Sequence, residues 1–90
     1  MEFEWDEAKN RQNLEKHGID FDRAKEIWRG VVVEGPSSQA HHGEPRYLAI
    51  GQSEAKIMTV VFTWRGNVRR IISARAAREH EKKAYEKKIG

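Results

Sequence analysis

The chain has 90 residues, no cysteine and a formal net charge of +3. This length fits one domain over residues 1–90, and the lack of cysteine excludes disulfides and a thiolate nucleophile. No apolar run approaches the roughly 20 residues of a membrane-spanning helix, and the acidic N-terminus differs from a secretory signal peptide. We therefore expect a soluble cytoplasmic protein with no membrane partner and no cofactor.

The charge is unevenly distributed along the chain. Residues 1–45 hold 6 Lys and Arg against 10 Asp and Glu, whereas residues 46–90 hold 11 against 4. The basic second half favours an anionic partner, and nucleic acid is the leading candidate. Solvent-exposed helices rich in lysine produce the same pattern without any partner.

The first predicted helix is unusually polar. Asp6 fits its N-cap, and Gly18 fits the position that ends it after His17. It has too few apolar residues for a core-facing stripe. One side instead repeats polar groups at helical spacing: Lys9, Asn13 and His17, with Lys16 beside them. That side is either exposed to solvent or forms a row of donors that faces a ligand.

The remaining elements complete an α+β pattern. A short strand at 3–5 precedes the first helix, and a second helix runs from the Asp20 cap to Gly30. Strands are predicted from 31–33, over 46–51, and as a hairpin over 57–64 and 68–75. The last helix is predicted from about Arg75 to Lys88. The order β-α-α-β-β-β-β-α, with short connections, predicts a small antiparallel meander with three helices covering one face.

Residues 35–43 are predicted to form a loop because they are rich in turn-forming residues. The loop contains two adjacent histidines, His41 and His42. Adjacent side chains in an extended chain point apart, and no further ligand is near in sequence. We therefore predict no metal site.

The hairpin and the residues after it, 59–77, carry much of the cationic chemistry. Arg65-Gly66-Asn67 fits the turn. Strict alternation would place Val68, Arg70, Ile72 and Ala74 on one face of the second strand, and Arg69, Ile71, Ser73 and Arg75 on the other. Arginine on both faces fits either an outer strand with solvated arginines and one ion pair, or a sheet that presents arginines to a phosphate backbone.

Three segments together resemble the BrnT family of toxins, the ribonuclease half of bacterial type II toxin–antitoxin pairs. They are FEWDEAKNRQNLEKHGIDF, HGEPRYLAIG and VVFTWRGNVRRIISARAAREHEKKAY. The three segments cover nearly the whole chain, and they have the order and spacing of the family, which makes the resemblance specific. The chain departs from the family at His41, where an acidic residue is frequent, and at Lys82, where arginine is usual.

The resemblance implies a RelE-like fold and a ribonuclease that arrests translation. It also implies a cognate antitoxin similar to BrnA, which binds and neutralises the toxin. Such an antitoxin represses the shared operon through its own ribbon-helix-helix domain, so operator DNA would be reached only through the complex.

Metal-free RNA cleavage needs a base for the 2′-hydroxyl, cations for the charge on phosphorus oxygens, and an acid for the leaving oxygen. His17 is the first candidate for proton transfer, since histidine commonly titrates near neutral pH. The predicted catalytic residues are His17, Arg75, Lys16, Glu44 and Tyr85. The predicted RNA-binding residues are Lys9, Asn13, Arg46, Arg65 and Arg70.

Structural interpretations stand beside these roles. His17 would instead cap the last carbonyls of its helix, Arg75 would pair with Glu79, and Tyr85 would fill core space. For the whole chain, the alternative is a non-catalytic module that binds nucleic acid or protein and acts as a corepressor with its antitoxin. Salt-sensitive binding of DNA and RNA without strand breaks would favour that alternative.

Overall fold

The computed structural model describes residues 1–38 and 43–90, in which one five-stranded sheet is packed with helices. The elements, in chain order, are β1 (Glu2–Trp5), α1 (Glu7–His17), α2 (Phe21–Ala24) continued by a 3-10 helix (Lys25–Arg29), β2 (Val33–Pro36), β3 (Tyr47–Ser53), β4 (Lys56–Arg65), β5 (Val68–Ala76) and α3 (Glu79–Ile89). The predicted α+β class and element order are confirmed. None of the helices in these ranges is long and apolar enough to cross a membrane.

Several predicted boundaries were wrong. β5 stays paired with β4 as far as Ala76, so the last helix begins at Glu79 rather than at Arg75. β2 includes Gly35 and Pro36, which were predicted as loop, because an edge strand tolerates proline. The hairpin turn consists of Gly66 and Asn67 alone, with Gly66 at φ 61°. The predicted loop histidines lie outside the described residues.

The sheet order is β1-β5-β4-β3-β2, in which β2 to β5 form the predicted antiparallel meander. β1 differs, because it pairs in parallel with β5 from Val68 to Ile71. Where β1 ends, the Asn13 side chain of α1 continues the edge. Its amide donates to the Ala74 carbonyl at 2.8 Å, and its oxygen accepts from the Ala74 N–H at 3.1 Å. A side chain thus satisfies backbone groups that a longer β1 would have paired.

A β-bulge in β5 changes which side chains share a face. Val61 lies opposite Ser73 and Phe62 lies opposite Ile71, so Ile72 has no partner on β4. The alternation predicted from sequence is therefore wrong beyond Ile71, because the extra residue shifts it by one. Ser73 joins the face of Thr63 and Val61, as do two arginines that strict alternation separates: Arg70 and Arg75.

The main core lies between the sheet and the α2/3-10 segment. Its fully buried side chains include Phe21, Ile27, Met58 and Phe62. Gly51 allows the 3-10 helix to approach β3, since a Cβ there would lie 2.7 Å from the Ile27 Cβ. Packing on this face therefore supplies most of the apolar burial.

The prediction that all helices cover one face was wrong. A second, smaller cluster on the opposite face joins Ile50, Ala77 and Tyr85. α3 packs there because Tyr85 and the nearby Glu81 form its buried side. Within residues 1–38 and 43–90, no further element covers this second face, which lies between α1 and α3 and which we call the open face.

Arg69 lies on the main-core face and explains why β5 has arginines on both sides. Its guanidinium carbon lies 5.0, 5.3 and 4.4 Å from the ring centroids of three aromatic residues: Trp28, Phe62 and Trp64. It also donates to Glu34 at 3.0 Å. Its charge is therefore occupied by cation–π contacts and an ion pair away from the open face.

Candidate nucleic-acid interface

Three cavities adjoin on the open face, and we call them together the basic groove. The α3 cavity, of about 380 Å³, lies between the sheet and the start of α3, and its lining includes Ser73, Arg75 and His80. The loop cavity, of about 200 Å³, lies near Glu44 and Arg65. The α1 cavity, of about 210 Å³, lies where α1 meets the bulge of β5.

Shared side chains connect the three cavities. Arg46 lines both the α3 and the loop cavities, and Ser73 lines both the α3 and the α1 cavities. Lys9 lines both the loop and the α1 cavities. The three cavities are therefore immediate neighbours on this face.

Cations outnumber carboxylates among the described residues that line the groove. The cations are Lys9, Lys16, Arg46, Arg65, Arg70, Arg75 and Arg78, and the carboxylates are Asp6, Glu44 and Glu81. Three ion pairs offset part of this charge: Arg65–Glu44 at 3.1 Å, Arg70–Glu4 at 2.7 Å and Arg75–Glu81 at 2.7 Å. A positive surplus remains, and the groove walls concentrate it toward an anionic ligand.

Arg75 is held by Glu81 of α3 rather than by Glu79, the partner considered in the sequence interpretation. Its two terminal nitrogens donate to the two carboxylate oxygens at 2.7 and 3.0 Å. Glu81 also accepts from the Thr59 hydroxyl and from the Arg78 N–H. The Arg75 hydrogen bonds are the main cause that lowers the pKa of Glu81 to about 2. The pair thus fixes the first turn of α3 over β5.

Arg46 has a different environment. Its Nε is buried without a hydrogen-bond partner among the described residues. Its carbonyl accepts from the Ser37 N–H at 2.8 Å, which fixes the backbone just before β3. The Nε atoms of Arg23 and Arg69 are buried in the same way, so this feature does not single out Arg46. Arg46 does line two cavities of the groove and forms no ion pair with a described residue, so no described carboxylate offsets its charge there.

Two histidines each line a cavity that Ser73 also lines. His17 ends α1 and lines the α1 cavity, while His80 lies in the first turn of α3 and lines the α3 cavity. The Gly18 N–H closes the end of α1 by donating to the Leu14 carbonyl at 2.8 Å. The backbone of Gly18 therefore caps this carbonyl of α1, which is the structural role suggested above for the His17 side chain.

Two predicted site residues have structural contacts instead of groove-facing donors. Tyr85 is buried, and its hydroxyl donates to the Val31 carbonyl at 3.0 Å. Asn13 is buried and uses its amide in the bonds to Ala74 and in a further bond to the Ile19 carbonyl. Asn13 nevertheless lines the α1 cavity, so every predicted site residue except Tyr85 lines the groove: Lys9, Asn13, Lys16, His17, Glu44, Arg46, Arg65, Arg70 and Arg75.

Sequence reasoning missed Ser73, Arg78 and His80. The last helix was predicted to begin at Arg75, so Arg78 and His80 were placed inside this helix rather than at its start beside the sheet. Ser73 was missed because the bulge is invisible to strict alternation. A local pattern could have indicated the start of α3. Arg78, Glu79 and His80 follow shortly after the last strand, where a helix often begins.

Metal-binding chemistry has little support in the described residues. In the ranges 1–38 and 43–90, no three His, Asp or Glu side chains converge into a metal-binding group. The groove instead offers guanidinium, ammonium and imidazole groups. These groups bind phosphate oxygens and can transfer protons.

A comparison with protein families agrees with this chemistry. The model of the family described as "Ribonuclease toxin, BrnT, of type II toxin-antitoxin system" matches residues 5–81. This range contains every described residue that lines the basic groove. A comparison with curated proteins gave no match. The match confirms the resemblance of the sequence segments, and the chain belongs to the BrnT family of ribonuclease toxins of type II toxin–antitoxin systems.

Proposed function

We propose that this BrnT-family protein is a metal-independent endoribonuclease that cuts RNA in the basic groove and thereby arrests translation in the cytoplasm. The observation that carries the proposal is the position of His17 and His80 in two cavities that meet at Ser73. A phosphate bound at Ser73 would then be shared by a cavity that holds His17 and a cavity that holds His80 and three arginines. This arrangement suits proton transfer at both oxygens of a phosphodiester.

The proposed reaction uses the RNA itself as nucleophile. One histidine removes the proton from a 2′-hydroxyl, whose oxygen attacks the adjacent phosphorus. The bond from phosphorus to the 5′-oxygen breaks, and the other histidine protonates that leaving oxygen. The products are a 2′,3′-cyclic phosphate and a free 5′-hydroxyl. DNA has no 2′-hydroxyl, so it is bound but not cut.

Arginines supply the electrostatic part of the mechanism. Arg46 contacts the non-bridging phosphate oxygens, because it lines two cavities of the groove and forms no ion pair with a described residue. Arg75 acts mainly as a positioning residue, since Glu81 occupies both of its terminal nitrogens. By holding α3, Arg75 keeps His80 and Arg78 over the groove. Such preorganised donors stabilise charge that develops in the transition state.

The proposed partner is a protein antitoxin, since type II toxin families act in pairs with one. We propose a BrnA-like ribbon-helix-helix protein that neutralises the toxin, with operator DNA contacted through the antitoxin alone. The toxin would then be inactive whenever its partner is in excess.

Incubation of the purified protein with labelled RNA and with matching DNA, both in EDTA, tests this function. We expect cleavage of RNA alone. The variants His17→Ala, His80→Ala, Arg46→Ala and Arg75→Ala should each lower the rate by at least about tenfold. Arg29→Ala is the matched control, because Arg29 is exposed in the 3-10 helix and pairs with Glu26.

Circular dichroism would show whether each variant is folded, and Arg75→Lys would keep the charge if Arg75→Ala unfolds. Full activity in both histidine variants would overturn the assigned roles. Binding of RNA and DNA without any cleavage, in EDTA or in a translation extract, would overturn the catalytic function and favour the corepressor alternative.

A further inference from the structure

The basic surface continues beyond the groove along α3. Lys83 and Lys87 follow His80 at spacings of three and seven residues, so all three lie on one side of the helix. His80 lines the α3 cavity. With a rise of about 1.5 Å per residue, the two lysines carry this side about 10 Å away from the cavity.

The lysines are available for a ligand. Both side chains are exposed, and neither forms an ion pair within the described residues. The buried side of α3 is occupied by Glu81 and Tyr85, which hold it on the sheet. Lys82 lies about 100° further round the helix than Glu81, on the flank opposite to His80. The side of α3 that carries His80, Lys83 and Lys87 is thus a stripe distinct from the buried side and from the flank of Lys82.

We propose that Lys83 and Lys87 bind the phosphate backbone of single-stranded RNA where it leaves the α3 cavity. This inference rests on the proposed ribonuclease function. Lysine contacts phosphate as a point charge with no base preference, so the stripe adds affinity for longer RNA and not sequence specificity. Arg78 at the start of α3 and the two lysines further along the helix would then contact successive phosphates of the same RNA strand.

Fluorescence anisotropy with 2′-O-methyl oligonucleotides tests the stripe, since these keep the phosphates but cannot be cut. Two oligonucleotide lengths are used. The shorter, of about 4 nucleotides, occupies the groove alone, and the longer, of about 16 nucleotides, also reaches the lysines of α3. Lys83→Gln/Lys87→Gln is compared with Lys82→Gln/Lys25→Gln. The control removes the same charge from the far flank of α3 and from the 3-10 helix.

The stripe variant should bind the longer oligonucleotide about tenfold more weakly at low salt, and the salt slope should fall by about 1.4 for two lost contacts. Its binding of the shorter one, and both affinities of the control, should match the wild type within about twofold.

Equal losses in the two double variants would overturn the inference, because net charge alone would then explain them. Unchanged RNA affinity with weaker antitoxin binding would assign the stripe to the protein partner. A wild type that binds neither oligonucleotide would overturn the proposed function itself.

Discussion

Arginine has contrasting roles on the two faces of β5 and beside it. Arg69 is stacked among three aromatic rings and paired with Glu34, so its charge contributes to stability. Each cation–π contact of this kind is worth about 0.5–2 kcal/mol. Arg46 lies on the opposite face, lines two cavities of the groove and forms no ion pair with a described residue. Neighbouring side chains, rather than the residue type, decide which arginine is free for a ligand.

Asn13→Ala should destabilise the protein by about 3 kcal/mol, since it leaves the Ala74 N–H and two buried carbonyls without their partner. Urea unfolding followed by circular dichroism measures the loss. Gln12→Ala is the control, because Gln12 is an exposed neighbour on the same helix. A loss no larger than that of the control would show that Asn13 does not support the sheet edge.

At the scale of the element, α3 is held on the sheet by few contacts. Its apolar contribution is small, so the Arg75–Glu81 pair carries much of the attachment. The bulge in β5 makes this pair possible, because it turns Arg75 toward α3 rather than into the core. One extra residue in a strand thus determines where a helix docks.

Acid should release this attachment. The pKa of Glu81 is about 2 in the folded protein, below its ordinary value of 4.5. The unfolded chain therefore binds this proton more tightly, and the stabilisation, of order 3 kcal/mol, is complete above about pH 5 and lost toward pH 2.

Urea unfolding of the wild type and of Glu81→Gln between about pH 7 and pH 2 measures this effect. The difference in unfolding free energy should shrink as the pH falls. Glu86→Gln, an exposed change in the same helix, is the control. A difference that stays constant with pH would contradict the role of the Glu81 carboxylate.

At the scale of the whole molecule, the sheet separates the main hydrophobic core on one face from the basic groove on the other. One face is buried under α2 and the 3-10 helix and holds the main core. The other face carries α3 at one end, and in the part of the chain that the structure describes it also carries the basic groove. Exposed apolar side chains lie elsewhere on the surface: Leu14, Val31, Trp64 and Ile89. Singly exposed apolar side chains of this kind are ordinary on a protein surface.

The cognate antitoxin should abolish RNA cleavage once it is present at equimolar concentration, because its binding denies RNA access to the groove. Titration of the purified antitoxin into the cleavage assay measures this. A ribbon-helix-helix protein from an unrelated operon is the control. Full cleavage by a toxin that is saturated with its antitoxin would contradict neutralisation by direct binding.

Local sequence patterns were enough to predict most of the helices and strands and to select most of the charged residues that line the groove. The Asp6 cap and Gly18 end of α1 were predicted, since capping depends on neighbours in sequence. Most of the predicted cations do line one groove. Asn13 was different, because its partner Ala74 is 61 residues away and no local pattern indicates that contact.

The sequence by itself determined the order of the elements, the basic second half and the family of the protein, because these depend on periodicity, composition and spaced motifs. The tertiary structure alone decided which residues meet. The bulge at Ile72 depends on pairing with β4, and only this pairing places Ser73 and Arg75 beside α3. His80 reaches the groove because Glu81, the next residue, binds Arg75. Contacts between distant segments form only when the chain folds, so they leave no local signal in the sequence.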